Sequence, residues 1–493
     1  MFTYHITLMK SIWWIKRDMR LHDNDALFHA LQDSTEVLPV YIFEDVVLHG
    51  PDASAKHADA QIQGITALKK NLQHHGSDLY VAQGHIIEEL QKLKKHYPFE
   101  AIYSHQETGL NHTFKRDKEV ATWCAYNNIQ WCEQRHFGVV RGLEDRDKRI
   151  DHFNDYLAEP IRSIPKELKP PKNVPITTVP SLSNLGFKDI EHELWPVSER
   201  AAHDTLHDFL FNRGEWYRGG ISTMNKAPRA CSRISLHLAW GTISLRTVFA
   251  KTRERREDAA VAREKRWSTS LKHFTSRLYW HSHFIQKLED EVEMEFLPQN
   301  KAFTDRLPVC SPVTQKKRLK AWKTGTTGYP YMDACLRYYD KYGWLNFRGR
   351  ASITSFAIHG LRLPWQTILY ELAKLMSDYV PGIHVAQVQM QAGITGTNTI
   401  RVYSPHKQGL DHDPDATFIK SQIPELRDFS AAEIHDFQNR ALGEYPRPIV
   451  DFSKESKKVK DVLYAIKKSP EGRKEAKRVY KRHGSRSRIR TRG

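Results

Sequence analysis

The chain has 493 residues, 40% of them hydrophobic, which is enough for two or three domains around a large core. Its formal charge is +17, but Lys454 to Gly493 hold 16 Lys and Arg against 4 Asp and Glu, leaving only +5 elsewhere; this excludes a uniformly basic protein. The five cysteines, Cys124, Cys132, Cys231, Cys310 and Cys335, are scattered without a C-x-x-C pair, which excludes a disulfide scaffold and points to reduced thiols in the cytoplasm.

Ser11 to Lys16 reads as a buried strand, and Arg17 to Asn24 as the turn into a helix capped by Asp23. The N-terminus thus enters a strand pattern instead of a signal peptide, and no apolar run reaches the length of a membrane span. Further short apolar runs at 38–43, 79–81, 101–103 and 129–132 alternate with helical stretches such as 85–95 and 116–125. That alternation predicts a doubly wound parallel sheet of five strands over residues 1–135, whose ligands would collect at the carboxyl ends of the strands. Residues 136–200 break the pattern with clustered prolines and read as a connector laid over the surface. From 201 to about 450 the pattern is helical, and 451–493 reads as a basic extension, which is either a nucleic-acid-attracting tail or a solvated one.

Within the helical half, Cys231-Ser232-Arg233-Ile234-Ser235 is hydroxyl-bearing where a helix begins. Such a start either cradles phosphate or simply caps the helix. His273, Arg277 and His281 recur at helical spacing beside Trp280, so that an aromatic and cationic donors could stack a base and hold its phosphate. His281-x-His283 lacks a nearby third ligand and reads as a core pair, not a metal site. Asn346, Arg350 and Thr354 are expected on one face of a helix, Asp378 is available to pair with Arg350, and Tyr379 to His384 reads as an irregular turn. Gln387, Gln389 and Gln391 then present amides at every second position, an arrangement suited to a flat heteroaromatic ligand. The alternative for Arg350 and Asp378 is a purely structural ion pair.

Several ordered segments carry a resemblance. They are Thr327 to Ala334, Gly343-Trp344-Leu345-Asn346-Phe347-Arg348-Gly349-Arg350, Asp378, Thr395-Gly396-Thr397-Asn398, Arg401 to Pro405, Phe418-Ile419-Lys420 and Pro424 to Arg427. Together with the opening Trp14-Ile15-Lys16-Arg17-Asp18-Met19-Arg20-Leu21, they make the chain similar to the photolyase/cryptochrome family. The resemblance implies an α/β N-terminal domain, an all-helical FAD-binding domain, and a second, light-harvesting chromophore whose identity no residue discloses. It implies FAD contacts at Tyr217, Cys231, Ser232, Arg233, Ile234, Ser235, His281, Asn346, Phe347, Arg350, Asp378 and Val380. DNA contacts fall to Lys226, Arg229, Arg277 and Trp280, with Trp280 stacking on a pyrimidine dimer, and electron transfer involves Trp365.

Departures from the family pattern are as informative. Cys231 replaces a Thr, and Arg277 stands where dimer-splitting members place a Glu. Gln391 lies near a second stacking Trp, and Gln389 near the Trp closest to the flavin. No cysteine follows Cys335, so the iron-sulfur ligands of one branch are missing. The implied function is light-driven splitting of pyrimidine dimers in DNA by a monomeric enzyme with reduced FAD; the alternative is a cryptochrome-type blue-light receptor that signals without repair.

Overall fold

The structure is a computed structural model describing residues 9–485 except 173, 176, 192 and 193; the last arginines of the basic extension lie outside the described residues. Its first third is a parallel five-stranded sheet of strands β1 (Met9–Ile15), β2 (Ser34–Glu44), β3 (Tyr80–Gly84), β4 (Ala101–His105) and β5 (Gln130–Gln134). The spatial order is β3-β2-β1-β4-β5, which puts the topological switch between β1 and β4. Helices α1 (Asp25–Asp33), α2 (Ala55–His74), α3 (Ile86–His96) and α4 (Asn111–Tyr126) cover the two faces. Both faces are therefore buried, Trp13 and Trp14 pointing to opposite sides, and the strands read as continuous apolar runs. The cap of α1 is Asn24, which accepts from the Leu27 amide, and not Asp23 as expected. Asp23 is fully buried and is claimed by Arg246 from the helical half.

The helices of the remaining chain used below are α5 (Ser235–Trp240), α6 (Leu245–Val261), α7 (Lys265–Asp290), α8 (Pro330–Tyr342), α9 (Phe347–Ser355), α10 (Trp365–Leu375), α11 (Pro381–Ala392), α12 (Phe452–Lys468) and α13 (Pro470–His483). The 26-residue α7 is the longest, and α11 lies against it. Their approach is close enough at Gly382 that an added methyl would stand 2.7 Å from the Ile285 Cα.

Three expectations change here. Asn346 is not on the face of α9 but is its N-cap, accepting from the Gly349 amide at 2.8 Å. Tyr379 to His384 is an irregular turn only up to Val380, because Pro381 starts α11, as proline at a first helical position favours. The stretch read as a basic extension, nucleic-acid-attracting or solvated, is helical through His483 and docked on the body. Val459, Leu463 and Ile466 of α12 join the main core, and His483 of α13 meets the Glu291 carboxylate at 2.8 Å.

The sheet and the helical half are joined by buried polar contacts. Arg246 reaches Asp23, Asp25 and Glu159, while Arg17 donates to the Tyr379 carbonyl at 2.8 Å. Gly241, with φ +67°, presses on the Arg17 carbonyl so closely that no side chain could be added. Among the described residues, no helix is long and apolar enough to cross a membrane.

Candidate functional site

Segments far apart in sequence converge on one cluster of polar side chains in the helical half. Arg350, on α9, donates to both Asp378 oxygens at 2.9 and 2.8 Å, and Ser235 donates to the same carboxylate at 2.7 Å. Asn346 ties the start of α9 to the 217–230 region by donating to the Ile221 carbonyl at 3.0 Å. Burial opposes the charge of Arg350, but the neighbouring Asp378 outweighs it and holds the guanidinium above its ordinary value.

The hydroxyl-bearing loop before α5 is held from outside. Arg213 donates to the carbonyls of Cys231, Arg229 (3.3 Å) and Ser232 (2.8 Å), and its own position is fixed by Asp208. Arg233 takes the left-handed conformation at φ +57° and stacks on Trp195, whose ring lies 5.6 Å from Trp344. Burial, and then the charge of Arg213, lowers the Arg233 guanidinium. Ile234, at the N-cap of α5, offers no side-chain cap, Ser235 is spent on Asp378, and Ser232 makes only a long contact, accepting from the Ile234 amide at 3.5 Å, so capping does not account for Ser235. Burial drives the Cys231 thiol up to about 12, so it is a neutral group here and not a nucleophile.

Tyr217 is buried against Phe209 and Phe274, and its hydroxyl is pushed above its ordinary range by burial and Cys231, against the pull of Arg277. Arg277 is exposed on α7, and one turn on, Trp280 is half-buried and stacks on Phe284 at 5.6 Å. Lys226 and Arg229 are exposed on the loop and short helix leading into Cys231.

The other expected residues divide. Phe347 opens outward at the start of α9, 56% exposed. Trp365 is buried in the core at the start of α10. His281 packs its ring edge on Phe137 at 4.7 Å, and both its buried nitrogens lack a partner. Burial lowers its pKa to about 4, so it is neutral. Val380 faces the crevice at the switch between β1 and β4, with Arg17, Glu107 and Phe137; the space enclosed there is about 20 Å³, room for one water.

The row of glutamines does not form. On a helix, alternate positions point in different directions. Gln389 is spent on the carbonyls of Met294 and Leu297 and on the Gln299 amide, Gln391 is buried, and Gln387 keeps an unpartnered oxygen. Sequence reasoning missed Arg213, whose partners are backbone carbonyls, and Tyr339, whose ring lies 5.2 Å from the Arg350 guanidinium. Among the described residues no cluster of His, Cys, Asp or Glu could hold a metal.

Arg213, Arg233 and Arg350, all tied to one loop, outnumber the carboxylates Asp208 and Asp378 around it. This uncompensated positive charge beside an uncapped helix start suits a ligand bearing a diphosphate, and the residues present fit FAD.

Comparisons with known proteins agree on the cofactor. The family model described as the FAD binding domain of DNA photolyase matches residues 274–465, and the one described as DNA photolyase matches 11–148; together they span about two thirds of the chain. A deoxyribodipyrimidine photo-lyase of Halobacterium salinarum is 27% identical over 481 residues, covering 90% of this chain and 96% of that protein. A cryptochrome DASH of Gloeobacter violaceus is 24% identical, covering 89% and 92% respectively. The crystal structure of a bacterial class III photolyase from Agrobacterium tumefaciens superposes with a TM-score of 0.81 at 23% identity, over 95% of this chain and 99% of that one.

Proposed function

The chain belongs to the photolyase/cryptochrome family, and from that premise we propose that it is a DNA photolyase, a carbon–carbon lyase that splits UV-induced pyrimidine dimers in DNA under light. The observation that carries this reading is the Ser235–Asp378–Arg350 connection, which unites three distant segments beside a loop ringed by arginines.

FAD would be held by Tyr217, the Cys231 to Ser235 loop, Asn346, Arg350 and Asp378, with His281 and Val380 toward the sheet. When bound and reduced, it supplies a light-absorbing donor of one electron. The protein's own work is positioning and electrostatics. Arg213 fixes the loop carbonyls so that the loop amides and Arg233 can face phosphate. Asp378 neutralises Arg350 and orients it. Trp280, braced by Phe284, offers a ring face to an extruded dimer, and Arg277 sets a cation where negative charge would develop on that substrate. Lys226 and Arg229 are free to meet phosphates without reading sequence. Gln391 and Trp365 would act from the wall and from the core behind it.

The division into an α/β unit (1–135), connector (136–200), FAD-binding unit (201–450) and basic extension (451–493) follows the same reading. So do action as a monomer and a place in the cytoplasm, the latter in keeping with five scattered cysteines. A second chromophore would take the crevice between β1 and β4, where Arg17, Glu107 and Phe137 would have to part.

The test uses purified, FAD-loaded, reduced protein with an oligonucleotide carrying either a cyclobutane dimer or a (6-4) product. Blue light should restore the absorbance of intact thymine with one of them. Flavin binding without recovery on either substrate would overturn the reading and favour a blue-light receptor.

A further inference from the structure

The docked C-terminal helices sort their charges. Residues 452–485 contain 12 Lys and Arg against 4 Asp and Glu. Three of the four carboxylates serve attachment to the body: Glu455 meets Arg318 and Arg362, Glu471 meets Arg306, and Glu475 accepts from the Lys301 amide. The fourth, Asp461, pairs with Lys457. What remains on the outside is cationic. Lys454, Lys468, Arg473, Lys474 and Lys477 are exposed, and no carboxylate among the described residues pairs with them.

Helical geometry gathers these charges. On α13, the buried Gly472, Val479 and His483 mark the inner face, and Arg473, Lys474 and Lys477 fall on the opposite one. Arg473 and Lys477 are one turn apart, about 6 Å along the axis. On α12 the inner face is Ser456, Val459, Leu463 and Ile466, and Lys454, Lys468 and Tyr464 face out, Tyr464 being 43% exposed. The apolar stripes of both helices are already used on the body, and no aliphatic wedge faces outward, so the surface is not built to enter a lipid interface. Cations interleaved with an exposed aromatic suit a polynucleotide backbone instead.

Contacts also lead from the patch toward the Arg350 helix. Lys467 donates to the Asn398 carbonyl at 2.8 Å, which places the end of α12 beside the loop bearing the exposed Arg401; two residues on, Tyr403 packs with Arg348 at the start of α9.

We propose that the outer face of α12 and α13 is a second DNA-backbone contact, holding undamaged duplex that flanks the substrate at the candidate site. The choice of DNA over other polyanions rests on the photolyase reading; the existence of the contact does not.

The test measures binding of full-length protein to a dimer-free duplex, in the dark, across a salt series. Replacing three cations as Arg473→Gln/Lys474→Gln/Lys477→Gln should reduce the slope of log affinity against log salt by roughly 2–3 and weaken binding about tenfold or more near 0.1 M salt. Lys454→Gln/Lys468→Gln should act in the same direction, which guards against a misfolded triple variant. The charge-matched control Lys316→Gln/Lys317→Gln/Lys320→Gln, on the exposed side of the helix Pro312–Thr324, should leave the slope unchanged. Equal loss in control and test variants, no loss in either, or preferential binding to anionic vesicles or polyglutamate overturns the proposal. Because neither light nor a dimer enters the assay, its failure leaves the repair reading intact, and failed repair would leave this contact standing.

Discussion

Asp378 accepts from Ser235 and, on both its oxygens, from one guanidinium nitrogen (Nη2) of Arg350, and its side chain is 3% exposed against 23% for Arg350. An amide at this position would keep the shape and leave the guanidinium without its counter-charge. We therefore expect Asp378→Asn to cost about 3 kcal/mol in urea unfolding and to reduce the flavin retained through purification. Full flavin content at unchanged stability would contradict the role given to the pair. The pairing was legible because an Arg and an Asp each interrupt an apolar run, and such interruptions need partners. The glutamines misled because a period of two is the pattern of a strand, whereas the residues lie on α11. Asn346 misled for another reason: a residue just outside a helix shares its spacing without sharing its face. Arg213 left no trace, since what it binds is main chain, which every sequence has.

At the scale of elements, α7 connects the candidate site to the C-terminal helices. Trp280 lies toward its middle and meets His283 edge-on at 5.2 Å; His283 in turn bonds Arg146 at 3.0 Å, and Arg478 and His483 of α13 reach Glu291 just past its end. Within this junction Lys287 is 9% exposed, and burial followed by the charge of Arg146 pushes it down to about 7. An unfolded lysine titrates near 10.5, so the unfolded chain binds the extra proton between about pH 7 and 10.5. Stability from this group therefore rises with pH across that window, and its full cost is present below pH 7. Lys287→Met should raise the melting temperature at pH 6, by the equivalent of roughly 2 kcal/mol, with the advantage fading as pH approaches 10. An advantage independent of pH would refute the buried-cation account. The sheet strands were legible because burial on both faces writes them as apolar runs. The docking of α12 was harder to see amid so many lysines, although Phe452, Ser456, Val459, Leu463 and Ile466 recur at helical spacing.

For the molecule as a whole, the buried carboxylate of Asp23 marks the seam between sheet and helical half. Burial works against its charge, but Arg246 prevails and holds its pKa below the usual carboxylate range. Arg246→Ala would strand that charge at the seam. Thermal unfolding should register a loss of about 3–5 kcal/mol, and a change under 1 kcal/mol would mean that the two halves are held together by other contacts. No local pattern foretold this link, because its partners are more than two hundred residues apart.

Gly241 carries the last consequence. Bare main chain lies against bare main chain there, and no rotamer change can relax such a contact. The joint is thus a weld and not a hinge, and the loop just ahead of α5 inherits its rigidity. Any breathing that admits a bulky nucleotide must then come from segments other than this joint.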